Sequence, residues 1–358
     1  MIAIDAMGGD LAPKSVVKGA YNAAQSGIAV MLFGDEVKIT KVLDATSNSW
    51  KKLPITVSHC ESVVGMGDDP VRAISRKKDS SLVCSVKSVR AQVCRAIVSA
   101  GNSGALLVAG AIILGKTPQV LRPAIGQFFP TKRGSVFCLD LGVNVDCKPQ
   151  YLQQFAVIGS EYVKMVQGVK APKVALLSNG HEPYKGSSLT KEAYSLLLHD
   201  ERINFIGNME SRDMFEGHAD VLVSDGFVGN VLLKTAQGTA TFLKHAIGCE
   251  VKKLSFIKKF FLRLGGASNL LKILQKRTDY AVQGGALLLG VQKPMVIAHG
   301  CSNEKAIENA IRFAYTIDKE GTVDAFNKRI ADILSEGGEE RRNIFKKMYS
   351  SIERIIKK

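Results

Sequence analysis

Short apolar runs recur along the chain with little polar alternation inside them. They are Ile2-Ala3-Ile4, Ala29 to Phe33, Ile55-Thr56-Val57, Ala96 to Val98, Val136 to Leu139, Val174 to Leu177, Phe205-Ile206, Val221 to Val223 and Met295 to Ile297. Continuous apolar runs belong to strands that are covered on both faces. Stretches with helical spacing lie between most of them; the first is opened by Pro13 and runs to about Ser26. Strands alternating with helices predict a largely parallel, doubly wound α/β sheet.

Many runs end in small polar turns. Ser99-Ala-Gly-Asn-Ser-Gly104, Asp140-Leu-Gly-Val-Asn-Val-Asp146, Ser178-Asn-Gly180 and Ser224-Asp-Gly-Phe-Val-Gly-Asn230 all follow apolar segments. In open α/β sheets, ligands bind beyond the carboxyl ends of the strands. A shared site on that edge is the expectation, although each turn also serves as an ordinary connection. The segment Gly101-Asn102-Ser103-Gly104 stands before Ala105-Leu106-Leu107. Small residues at a helix start let an anion approach the backbone N–H groups.

Composition narrows the class. With 46% hydrophobic and 23% charged residues over 358 positions, the body is globular rather than disordered. A net charge of +15 points to an anionic partner: nucleic acid, a membrane face, or an acidic protein or substrate. The seven cysteines are odd in number and form no C-x-x-C pair, as expected of reduced thiols in a cytosolic protein. The start, MIAIDAMGGD, has no secretory-signal pattern, and the most apolar stretch, Ala105 to Leu114, is too short to span a bilayer. The G-x-G-x-x-G and H-E-x-x-H patterns are absent.

Three features carry further chemistry. Arg76, Lys77 and Lys78 precede Ser80 and Ser81, a combination suited to a phosphate or an acidic partner, or to a solvated helix face. Cys301 lies two residues from His299, yet no third group orients the pair, so a turn-lining thiol is favoured over a nucleophile. Residues 250–277 form a basic, apolar stretch: Phe256, Phe260 and Phe261 follow helical spacing with Lys258 and Lys259 between them, before Gly265-Gly266. Two short amphipathic helices around that Gly-Gly turn would suit an anionic membrane interface or, equally, a helical hairpin at a subunit interface.

Ordered segments then bring a resemblance. Asp5-Ala-Met-Gly-Gly-Asp10, Asp69-Pro70 with Arg76 to Ser81, Ser99 to Leu106, Asp140 to Pro149, Asn204 to Asn208, Asp225 to Asn230, and Gly284-Gly285 with Ala298-His-Gly300 resemble, in order, the bacterial phosphate acyltransferase (PlsX) family. The resemblance runs to about residue 315. His181, Leu287 and Cys301 depart from the family pattern, which leaves their local roles open.

The resemblance implies an isocitrate/isopropylmalate dehydrogenase-like three-layer α/β/α fold; the residue pattern adds a protruding hairpin at 250–277 within a domain over 1–319, and a charged helical tail at 320–358. It implies acyl transfer from acyl carrier protein to orthophosphate, giving acyl phosphate that a downstream glycerol-3-phosphate acyltransferase uses in phospholipid synthesis. A cytoplasmic homodimer, peripherally associated with the membrane, follows from it; a metal, an organic cofactor and nucleic acid do not. Among the implied site residues, Asp5, Gly8, Gly9, Gly101, Asn102, Ser103, Gly104 and Lys185 would contact substrate, with Lys185 on phosphate. Asn144 and Asn230 would donate to the oxyanion, Asp225 and Asp146 would orient them, and His299 would protonate the leaving thiolate. Arg76, Lys77 and Lys78 would meet the acidic partners. A coenzyme A-dependent phosphate acetyltransferase, a decarboxylating dehydrogenase and a non-enzymatic membrane or nucleic-acid binder are the competing readings.

Overall fold

The computed structural model describes residues 1–253 and 284–335. Eleven strands among them form one sheet: β1 (Ile2–Asp5), β2 (Val30–Gly34), β3 (Ile55–His59), β4 (Ala96–Ser99), β5 (Ala124–Thr131), β6 (Gly134–Leu139), β7 (Lys173–Ser178), β8 (Asn204–Glu210), β9 (Val221–Val223), β10 (Ala286–Leu289) and β11 (Met295–Ile297). Their order is β3-β2-β1-β4-β11-β10-β5-β6-β9-β7-β8. Every predicted apolar run is a strand. The two strands that the runs did not signal, β5 and β10, are the antiparallel ones at the centre: β10 pairs antiparallel with β11 and β5, and β5 with β6. The flanking ladders are parallel.

Alternation along each strand divides the core into two layers. Ile2, Ile4, Val98, Phe137, Leu139, Val174 and Leu176 face one side. There they meet α1 (Lys14–Gln25), α2 (Glu36–Thr46), α6 (Pro149–Gln167), α7 (Ser188–Leu198) and α9 (Glu304–Lys319). Ala3, Ile97, Val136, Cys138, Ala175 and Leu177 face the other side. They meet α4 (Ser81–Arg90), α5 (Ser103–Ala109), α3 (Pro70–Arg76) and the start of α8 (Gly226–Lys253). The result is a three-layer α/β fold with a mostly parallel sheet.

Close approach explains Gly229. A Cβ there would lie 1.9 Å from the carbonyl oxygen of Asp140, so only glycine lets α8 cross the end of β6. Beyond Thr235 most of α8 stands clear of the body, with Phe242 exposed. The hairpin expectation lies, from residue 254 on, outside the described residues, and with it Phe256, Lys258, Lys259, Phe260 and Phe261.

The tail begins as part of the body. A helix over 322–335 buries Val323, Phe326, Ile330 and Leu334, which recur at helical spacing. Phe326 packs edge-on against Tyr162 at 5.8 Å. Arg329 pairs with the buried Glu161, which also holds Lys164 at 2.5 Å. Residue 319 is therefore no boundary of the packed core; the charged positions of this helix are its outer face.

Candidate active site

Three connections meet at the carboxyl ends of β1, β4 and β11. The amide of Asp10 donates to the carbonyl of Gly300 at 2.8 Å. Gly8 lies so close to the β4 turn that a Cβ would sit 2.5 Å from Asp5 Oδ2 and 2.9 Å from the Gly101 nitrogen. Beneath them Ser99 Oγ donates to Asp5 Oδ2 at 2.7 Å and accepts from the Gly101 amide at 3.0 Å. Asp5 is fully buried, and desolvation raises its carboxyl above the ordinary carboxylate range.

Asn102 is the N-cap of α5, accepting from Ala105 N at 3.0 Å. Its amide also donates to the carbonyls of Gly65, Met66 and Asp68 at 3.3, 3.1 and 3.1 Å, tying the 65–68 loop beside the turn. Asp68 in turn holds Lys77 Nζ at 2.5 Å, and Lys77 also donates to the carbonyl of Val63 at 2.8 Å. Lys77 is thus a loop clamp, whereas Arg76 and Lys78 are exposed.

A cavity of about 390 Å³ opens at this meeting point. Gly101, Ser103 and Met66 line one side, and His299, Gly300, Cys301 and Ser302 another. The third side is α8, which contributes Asn230, Lys234 and Gln237. Positions i, i+4 and i+7 share one helical face, so that spacing was the signal available in the sequence for the two residues the motif reading missed, Lys234 and Gln237.

The polar contacts within the cavity are short. Lys234 Nζ lies 2.7 Å from His299 Nε2, Gln237 Oε1 lies 2.9 Å from the same nitrogen, and Cys301 Sγ lies 3.3 Å from His299 Nδ1. Burial lowers the pKa of His299, and the Lys234 ammonium lowers it further against the opposing pull of Asp10. Desolvation likewise lowers Lys234, opposed by Cys301 and Asp10.

Several expected residues serve the scaffold. Asn144 is buried; its backbone amide donates to Asp140 Oδ2 at 2.7 Å, and its side chain donates to the Pro123 carbonyl and to Asp140 Oδ2, both at 2.8 Å. Both side-chain amide hydrogens are spent, which leaves no donor for an oxyanion. Asp225 caps α8, accepting from the amides of Phe227 and Val228 at 2.9 Å. Asp146 is exposed and outside the cavity lining. Lys185, in the β7–α7 connection, stands 5.8 Å over the Tyr184 ring and is also outside the lining. Gly9 and Gly104 pack the turns, against Gly300 and Pro70. Among the described residues no group of three His, Cys, Asp or Glu side chains could hold a metal ion, and no helix is long and apolar enough to cross a membrane.

The fold is that of the phosphotransacetylases: a phosphotransacetylase from Streptococcus pyogenes superimposes over 88% of this chain and 93% of its own with a TM-score of 0.58, at 16% identity. The chain belongs to the family described as fatty acid synthesis protein, which matches residues 1–324. Relatives named phosphate acyltransferase include one from Desulforamulus reducens, 44% identical over 332 residues, 92% of this chain and 97% of that protein. Another, from Geobacter sp. strain M21, is 46% identical over 337 residues, 94% of this chain and 93% of that protein. The family resemblance read from the ordered motifs is borne out.

Proposed function

We propose that this chain moves a long-chain fatty acyl group from acyl carrier protein to orthophosphate, releasing acyl phosphate for phosphatidic acid synthesis. Membership among phosphate acyltransferases supports the transfer to phosphate. The observation that carries the reading is the cavity itself, which sets small-residue backbone opposite a helix face bearing an amide and a cation.

In this reading the Gly101–Ser103 turn receives phosphate, since backbone amides and a hydroxyl suit its oxygens. Asn230 donates to the oxygen of the thioester as it gains charge. Asp225 fixes the first turn of α8 and so the place of Asn230. Asp5 and Ser99 hold the Gly101 amide. A phosphate oxygen attacks the thioester carbon; the C–O bond forms, the C–S bond breaks, and the proton of hydrogen phosphate ends on the released thiol. Two anionic reactants must be held together, so positioning and charge neutralisation carry the catalysis.

The partners follow from charge. The carrier protein is acidic, and exposed cations such as Arg76 and Lys78 would speed the encounter in a salt-sensitive way. The isocitrate dehydrogenase-like fold, the homodimer, the cytoplasmic location and the peripheral membrane contact through 250–277 belong to the same reading. So does hand-over of acyl phosphate to a glycerol-3-phosphate acyltransferase.

The test is incubation with palmitoyl-acyl carrier protein, with and without phosphate. Acyl phosphate should form only with phosphate, and in preference to product from acetyl-coenzyme A. Absence of acyl phosphate defeats the proposal. Liposome binding that survives Phe260→Ser with Phe261→Ser would remove the membrane role of the hairpin.

A further inference from the structure

The proton that completes the reaction has a source in the cavity. A lysine ammonium carries three N–H bonds and no lone pair, so toward His299 Nε2, 2.7 Å away, Lys234 can only donate. Nε2 is then the acceptor, and the ring proton of a neutral His299 sits on Nδ1. That nitrogen faces Cys301 Sγ at 3.3 Å, a suitable acceptor. The Gln237 amide also meets Nε2, at 2.9 Å, and an unprotonated Nε2 takes its NH2 end, the amide's two ends being interchangeable by a flip. Placing a proton on Nε2 as well would set an imidazolium against an ammonium at the same distance. Burial and the Lys234 charge both favour the neutral ring. His299 in this state has no Nε2–H to give.

We propose that Lys234 protonates the departing thiolate, while His299 is a positioning residue that holds the ammonium over the cavity. This rests on the proposed acyl transfer to phosphate, and it reassigns the acid that the sequence placed at His299. Two further N–H bonds of the ammonium remain for substrate after the one aimed at His299. Lys234 lies one turn from Asn230 on the same face of α8, which places a cation beside the carbonyl that Asn230 would hold. As the C–S bond breaks, the electron pair passes to sulfur and a proton moves from Lys234 Nζ to it. The neutral amine then takes the proton of the attacking phosphate, so the ammonium is restored and the reaction balances.

The experiment compares two small palmitoyl thioesters, of N-acetylcysteamine and of thiophenol, with saturating phosphate. Thiophenol is the stronger acid, and its anion leaves without help. Lys234→Met should lower kcat/KM about 100-fold for the N-acetylcysteamine ester but less than about 10-fold for the thiophenyl ester, the scale of general acid catalysis. His299→Gln keeps a carbonyl acceptor for the Lys234 ammonium, so it should lower both esters by the same small factor. Lys234→Ala should be partly rescued by methylamine on the N-acetylcysteamine ester, a gain that misfolding would not give. Equal losses on both esters with no amine rescue overturn the proposal, as does a leaving-group-dependent loss in His299→Gln. A rise in phosphate KM alone for Lys234→Met would make Lys234 a phosphate contact and also overturn it. If the wild-type chain forms no acyl phosphate from either ester, the proposed function itself has failed.

Discussion

Asn144 and Asn230 follow neighbouring strands, β6 and β9, in Gly-containing segments that leave the same sheet edge. As sequence they are equivalent candidates for an oxyanion donor. The fold makes them opposites. Asn144 is buried and gives its amide hydrogens to Pro123 and Asp140. Asn230 is exposed on α8 and lines the cavity. A polar turn at a strand end is thus ambiguous until its hydrogen bonds are traced: a donor already spent on the backbone is scaffold, and a donor facing a cavity is available to a ligand.

The sharpest break in that comparison comes at the place where the two segments touch. Gly229→Ala puts a methyl group into the Asp140 carbonyl, and overpacking against backbone should cost roughly 3 kcal/mol or more. A thermal midpoint equal to wild type would show that α8 need not cross there. Asn230→Ala should leave the midpoint unchanged and reduce acyl phosphate formation on the order of 100-fold, or about 3 kcal/mol, as the loss of an oxyanion donor does. Unaltered turnover would remove Asn230 from the site.

Asn144→Ala should behave in the reverse way. Removing the side-chain donor from the buried Pro123 carbonyl, and one of several donors from Asp140, should cost about 1–3 kcal/mol of stability, while the folded fraction keeps its kcat. A specific loss of kcat in fully folded protein would restore Asn144 as a catalytic group. Lys185→Ala should lower turnover less than Asn230→Ala does; a larger loss would bring Lys185 into the phosphate site.

The gentlest probe is pH. The Asp5 carboxyl is raised by burial, so its contribution to stability is present below its unfolded pKa and is lost as pH rises through the folded value. Asp5→Asn should therefore flatten stability toward neutral pH while its carbonyl still accepts from Ser99. A midpoint–pH curve parallel to wild type would contradict this. On the rate, the lowered pKa of Lys234 should bring the alkaline loss of activity below that of an ordinary lysine, and Lys234→Arg should move it upward.

How much was legible from sequence depends on where each feature's partners lie. The apolar runs identified nine strands because burial on both faces writes itself into consecutive residues. β5 escaped: it carries Gln127 and Pro130 among its apolar residues, and its identity depends on pairing with β6 across a tight turn. β10 is only four residues long, and it pairs with β11 and with the distant β5. The helix over 322–335 read as a charged tail because its four core residues are spaced among charges.

The sequence by itself determined the α/β alternation, the polar turns at the strand ends, the family, and the presence of His299 and Asn230 near a site. Local periodicity and ordered motifs are properties of neighbouring residues, and the chain records them directly. Only the tertiary structure decided which polar groups are spent and which are open. Lys234 and Gln237 meet His299 across more than sixty residues of sequence. Asn144 is withdrawn by Pro123, twenty-one positions away. Hydrogen bonds of this kind depend on distances that appear once helices and strands have packed, so the site's chemistry belongs to the fold.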